Sequence, residues 1–360
     1  MFQDDQPIPL PLAARCERIA SPALPVIAPA MAAGWGDTPG PVRARLEALW
    51  HRRVLPVRAI DVYRLRNVFV LGEGLVFDEA QRLYAPTIGA HTPQQVAAAR
   101  QTLHGWAAQG GIPGHAGTSV LCKSAGTFAT SHWLIALAPR AFLAAERLQL
   151  RQARYLIHAL PDPQRDLVRD SLARFAIPPE AILETGPAPV FCEELILIEG
   201  LRGRDGTLSP LIGTAMARLA EGIAPGTAER ILITARAPSG WRVDDEARLN
   251  ELAAAAGYTL LDPSAMSLAG QIAAFSGAHR LAGLAGPGMA PLLFAPSGAH
   301  VRCLTAATAS ETDTWMLCQI RAQRYAELRC PEADTQASPF LPRVPRLATR
   351  PADLRALLAG

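Results

Sequence analysis

Two patterns of apolar and polar positions follow one another along this chain. Residues 1–40 carry proline at many positions and little periodicity, and PVRARLEALW (41–50) then offers a short amphipathic helix. Strand-like runs begin at VLPVRAI and NVFVLGEGLVF, where GEG (72–74) reads as a hairpin turn. From Pro93 to Trp106 the spacing is helical, GGIPGHAG is a loop, and SVLCKS is a strand leading into a helix over 130–147. RYLIHAL is a buried strand, after which Asp162 and Pro163 are expected as N-cap and first helical residue. In PQRDLVRDSLARFAI, Val168, Leu172 and Phe175 recur at spacings of four and three with Leu167 flanking them, as one helix face requires. VFCEELILI (190–198) is a strong strand, short, partly β-branched and bounded by Pro and Gly.

The second half alternates more cleanly. GLRGRDGTLSP reads as an exposed linker, followed by a helix over 209–222 and the strand ERILITAR. A helix from Asp244 carries Leu249, Leu252, Ala253 and Ala256 on one face and stops at Gly257. The strand YTLLD, a helix from near Ser267 with Leu268, Ile272 and Phe275, the strand HRLAGLAG, a short helix MAPLLFA and the strand HVRCL complete the series. Strand and helix taking turns predict an α/β fold with parallel sheets covered on both faces. The expected architecture is two Rossmann-like domains: an N-terminal unit over 1–205 that includes the irregular arm, a C-terminal unit over 206–335, and a tail with a short helix over 336–360. Ligands in such folds sit at the carboxyl ends of the strands.

Composition narrows the function. A length of 360 residues with 49% hydrophobic content supports two cores, and a net charge of +3 with 19% charged residues carries no field of the kind that drives nucleic-acid binding. Basicity comes almost entirely from arginine, with Lys123 the single lysine. The cysteines at 16, 122, 192, 303, 318 and 330 are scattered, without the spacing of a metal ribbon or a disulfide framework. The first residues, MFQDDQPIPLPL, lack the positive region and unbroken apolar stretch of an export signal, and no apolar run is long enough to span a bilayer. A cytoplasmic protein is expected, one that works near the inner face of a membrane.

Several residues have the chemistry of a site. Arg236 and Arg242 follow a strand and flank a Pro–Gly loop, where two guanidiniums suit a phosphate or carboxylate; the alternative is ordinary surface arginines. Asp244, Asp245 and Glu246 resemble a metal-binding triplet but fit better as an N-cap and first-turn carboxylates. GLAGPGM, with glycines at 283, 286 and 288, joins a strand to a helix start where backbone amides approach an anion, although tight turns use glycine for steric reasons too. His132 and Trp133 open an apolar helix, with Pro139 and Arg140 about two turns later. A histidine there serves either as a general base or as a packed, satisfied residue. Neither a GxSxG elbow nor a GxxxxGK[ST] loop occurs.

Taken in order, these segments resemble the family-61 glycosyltransferases. The family's HW followed by LPR is similar to His132, Trp133, Pro139 and Arg140, with Ala138 in place of the Leu. Its strand ending in arginine, then a second arginine and an Asn–Glu pair, resembles Arg236, Arg242, Asp245 and Glu246. Its Gln-bearing helix resembles Ser267, Leu268 and Gln271, and its closing motif resembles GLAGPGMAPLLFAPSG. The family's His in that motif falls on Ala285 and its Asn on Pro291.

The resemblance implies a GT-B-like fold and inverting, metal-independent transfer of a sugar from a nucleotide sugar to a glycan or lipid-linked acceptor, in bacterial surface polysaccharide biosynthesis. His132 would be the base, with Asp61, Glu73 and His115 as alternatives. Trp133 and Arg140 would lie on the acceptor side or in the cleft, and Arg236, Arg242, Glu246, Gln271, Gly286 and Gly288 would hold the donor, with Gln271 equally suited to serve only the sheet edge. No metal or other cofactor and no nucleic acid is expected, and peripheral membrane association is. Ala285 and Pro291 motivate the rival reading, a non-catalytic GT-B-like module that binds a glycan or partner. A nicotinamide-dependent dehydrogenase would follow from the alternation alone, but it leaves the HW and PR pairs unexplained.

Overall fold

The computed structural model describes residues 6–203, 205–234, 241–333 and 346–359, apart from the side chains of 31–33. In chain order, the strands of its two main sheets are β1 (Arg15–Ser21), β2 (Ala30–Ala33), β3 (Arg58–Leu71), β4 (Leu75–Phe77), β5 (Gly114–Leu121), β6 (Arg154–His158), β7 (Ile182–Thr185), β8 (Val190–Glu199), β9 (Arg230–Ile233), β10 (Thr259–Leu261), β11 (Arg280–Leu284), β12 (His300–Ala306) and β13 (Arg324–Cys330). The chain divides into two compact units, Met1–Ser21 with Arg58–Arg202, and Pro22–Val57 with Gly203–Gly360. Both are α/β.

The first unit has the strand order β1-β3-β8-β5-β6-β7, with β4 on β3. β3 pairs antiparallel with β1, β4 and β8, and GEG turns the β3–β4 hairpin. β8, β5, β6 and β7 run parallel, so each step from β5 to β6 to β7 needs a helical crossover. The helix Gln164–Arg174 supplies one of them and buries Leu167, Val168 and Leu172, with Phe175 just beyond its end also buried. It begins at Gln164, one residue after the expected start at Pro163. β5 opens at Gly114, within the stretch expected to be loop, and closes at Leu121, which leaves Lys123 and Ser124 beyond its carboxyl end.

All strands of the second sheet are parallel, in the order β10-β9-β11-β12-β13-β2. Its outer member β2 comes from the proline-punctuated arm, so residues 22–57 belong to this unit and not to a contiguous 1–205 domain. The physical reason is the edge of β13, a strand buried over most of its length, whose unpaired backbone groups the arm covers. Two further bonds hold the arm: Trp315 Nε1 donates to Ile27 O at 2.8 Å, and Ile27 N donates to Gln319 Oε1 at 2.7 Å. The helix Pro351–Leu358 buries Leu354, Leu357 and Leu358 in one cluster with Leu249 and Ala253, so this part of the expected tail completes the core. Among the described residues, no helix is long and apolar enough to cross a membrane.

Candidate active site

The carboxyl ends of β5, β6 and β7 gather the first unit's chemistry. Lys123, two residues past β5, is fully buried and donates from Nζ to Thr185 Oγ1, the last residue of β7, at 2.7 Å. Burial lowers its pKa to about 8, with nearby Glu73 acting the other way. His158 closes β6, buried, with its ring edge-on to the exposed Phe128 at 4.7 Å, and burial likewise lowers its pKa. Glu73, at the tip of the β3–β4 hairpin, accepts from the amides of Gly126 at 2.8 Å and Thr127 at 3.3 Å. Gly74 permits that approach: its φ is +97°, and a Cβ there would lie 2.3 Å from Lys123 O.

The helical segment from Thr130 to Arg147 carries His132 in its first turn. Its second turn widens to a π-helical one, in which the Ala138 amide bonds back to Trp133 O just before Pro139, which has no amide to offer. His132 Nε2 lies 2.7 Å from Ser124 Oγ. Burial, then the charges of Arg140 and Arg202, lower its pKa to about 4, against a smaller opposite pull from Glu73. The imidazole is therefore neutral at pH 7. Trp133 corrects an expectation: its ring is only 2% exposed and fills the core, because the helix buries Trp133, Leu134 and Leu137 on one side. Arg140 is half-buried and pairs with Glu199, the last residue of β8, at 3.1 Å. Burial raises the Glu199 pKa, and Arg140 opposes that rise.

In the second unit, the chain leaves β9 for β10 on one side and returns to β11 on the other. Such a reversal opens a crevice at the carboxyl ends of the two strands, the usual ligand position in parallel sheets. Arg236 follows β9 and lies outside the described residues. Arg242 is half-buried in a short ribbon, Arg242–Val243 with Arg346–Leu347, and donates to Trp241 O at 3.3 Å. Glu246 is the first residue of the helix Glu246–Ala255. Asp245 caps that helix by accepting from Arg248 N at 3.0 Å, and Asp244 accepts from Thr349 N at 3.2 Å, so these two aspartates of the acidic triplet are spent on backbone.

After β11, the loop from Ala285 enters a 3₁₀ helix, Pro287–Phe294. Gly286 has φ +142°, a conformation that requires glycine, and its amide donates to Thr314 Oγ1 at 3.0 Å. That amide is already engaged, which corrects its expected role as a phosphate donor group, whereas Gly288 is half-buried inside the helix. Pro291 is buried there, so this departure from the family pattern falls on packing. Gln271 is fully buried, and its Nε2 donates to Pro263 O at 2.8 Å and Met266 O at 3.3 Å. It braces the 263–266 turn, in line with the structural one of its two expected roles.

The first unit thus holds a neutral imidazole past the carboxyl ends of its parallel strands, and the second a glycine-rich loop after β11. Residues 130–302 match the family model described as Glycosyltransferase 61. The match runs from the helix that carries His132 into β12, and the protein is a glycosyltransferase. No curated protein matches the chain.

Sequence reasoning missed Ser124, His158, Thr185 and Glu199, and gave Lys123 no role. The one available signal was composition, since Lys123 is the only lysine among 35 basic residues. The others lie at strand ends, where only the fold brings them together.

Proposed function

We propose that the protein transfers a sugar from a nucleotide sugar to a glycan acceptor, with inversion and without a metal, in the synthesis of a bacterial surface polysaccharide on the cytoplasmic side of the membrane. The division of labour is that of a GT-B enzyme: the first unit handles the acceptor and the second the nucleotide. A single displacement forms the new glycosidic bond as the bond from the anomeric carbon to the diphosphate breaks, so the acceptor hydroxyl must lose a proton and the departing phosphates must be met by positive groups. His132 takes the proton. Arg236, Arg242 and the loop around Gly288 meet the phosphates, and Glu246 holds the ribose hydroxyls.

What supports this most is one coincidence: the family match opens on the segment whose histidine is held neutral beside Ser124. Arg140, tied to Glu199, shapes the acceptor side. A panel of sugar nucleotides, assayed for transfer and donor hydrolysis with and without EDTA, tests the reading. The expected result is turnover with one donor class that survives EDTA and is lost in His132→Ala. Ala285 and Pro291 favour a second reading, a non-catalytic glycan-binding module, and absence of turnover with every donor would select it.

A further inference from the structure

His132 has two ring nitrogens, and among the described residues only one of them has a hydrogen-bond partner. Nε2 is 2.7 Å from Ser124 Oγ. Nδ1 makes no hydrogen bond with the described residues and lies beneath Gly126, where a Cβ would come within 3.6 Å of it. The loop that carries both Ser124 and Gly126 is gripped by Glu73 through the amides of Gly126 and Thr127. Ser124 is itself half-buried, so its hydroxyl stands at a fixed place against the ring.

On the reading of His132 as the base, we propose that the acceptor proton goes to Nδ1 and that Ser124 is the positioning residue that makes Nδ1 the basic nitrogen. The bond made by one ring nitrogen decides the role of the other. With Nε2–H donating to Ser124 Oγ, the Nδ1 lone pair is left for the acceptor hydroxyl. The opposite tautomer would put a hydrogen on Nδ1, where no described residue accepts it, and would leave that nitrogen without the lone pair that a base needs. During transfer the acceptor O–H bond breaks and its proton joins the Nδ1 lone pair. The oxygen pair forms the bond to the anomeric carbon, and the electrons of the old bond leave with the diphosphate. The imidazolium keeps its Nε2–H bond to Ser124 and later gives the Nδ1 proton to solvent. Gly126 fits the same account, because the absence of its side chain leaves Nδ1 uncovered. The charged groups that bear on the ring are Arg140, Arg202 and Glu73.

Long-range proton–nitrogen NMR on histidine-labelled protein reads the tautomer without turnover, with His132→Gln assigning the signal. The expected result is the Nε2-protonated form in the wild type and a tautomer mixture in Ser124→Ala. A wild-type ring protonated on Nδ1 overturns the proposal. In the transfer assay, Ser124→Ala is expected to lower kcat about 10- to 100-fold with little change in KM, and Ser124→Thr to restore it. His132→Ala inactive with Ser124→Ala at full rate overturns the role of Ser124 and leaves the base reading standing. Full transfer by His132→Ala overturns both. Should Ser124→Ala fold poorly, the wild-type tautomer and the Ser124→Thr rate still decide.

Discussion

The carboxyl ends of the parallel strands in the two sheets are furnished in opposite ways. In the first unit the strand ends present side chains with perturbed ionisation: Lys123 against Thr185, His132 against Ser124, Glu199 against Arg140. In the second unit the described strand ends lead into a glycine turn, capped helices and backbone bonds, with Asp245, Gln271 and Gly286 each committed to local structure. On the proposed function, the contrast separates chemistry from binding: an edge of desolvated titratable groups suits proton transfer, and an edge of loops and helix starts suits a ligand.

The largest expected effect breaks the comparison most directly. His132→Ala should reduce kcat by about 10²–10⁴-fold, the range for loss of a general base, while leaving the affinity for a nucleoside diphosphate unchanged in calorimetry. A parallel loss of affinity would put His132 on the nucleotide side. Next comes Lys123→Ala, which leaves a cavity and removes the donor to Thr185 Oγ1, whose own bond to Ile157 O remains; it should cost roughly 2–4 kcal/mol of stability, seen as a lowered denaturation midpoint.

The pH dependence sharpens the same contrast. Transfer needs the neutral imidazole, so kcat/KM should hold on acidification and fall only as pH drops through about 4, whereas an unshifted histidine would bring it down near 6.5. The sign carries over to stability. Between those values the unfolded chain binds a proton that the folded one refuses, so this contribution is fully present above pH 6.5 and is lost as pH falls towards 4. The smallest effect is assigned to Gln271→Leu, which should lower stability by about 1–2 kcal/mol through the two lost bonds to the carbonyls of Pro263 and Met266. Nucleotide affinity should not change, and a tenfold loss would return Gln271 to the donor site.

Much of the second unit could be read from the chain. ERILITAR, YTLLD, HRLAGLAG and HVRCL are short apolar runs bounded by turns, and they became β9, β10, β11 and β12; β9, β11 and β12 are buried parallel strands that leave that imprint locally, and β10 is the more exposed edge. β2 was not legible: Ala30–Ala33 has no periodicity of its own and becomes a strand only when the edge of β13 is there to pair with. For the same reason the expected boundary at 205 missed the return of residues 22–57 to the second unit.

The site was legible in its residue types more than in its geometry. The HW pair drew attention to His132, but spacing on a helix could not tell that Trp133, the next residue, points into the core. Lys123 stood out by composition, yet its role depends on Thr185, more than sixty positions away and adjacent only through the order β5-β6-β7. Gln271 and Gly286 show why both readings stood open in the sequence, since residue types suited to a ligand are equally suited to holding a turn.

The claim that proton chemistry and nucleotide binding lie on different units is tested most directly by hydrogen–deuterium exchange of the whole protein, with and without the nucleoside diphosphate of its donor. The account predicts slowed exchange in the segments after β9 and β11, across 234–246 and 285–290, with 122–132 unchanged. Protection of 122–132 by the nucleotide alone would contradict it.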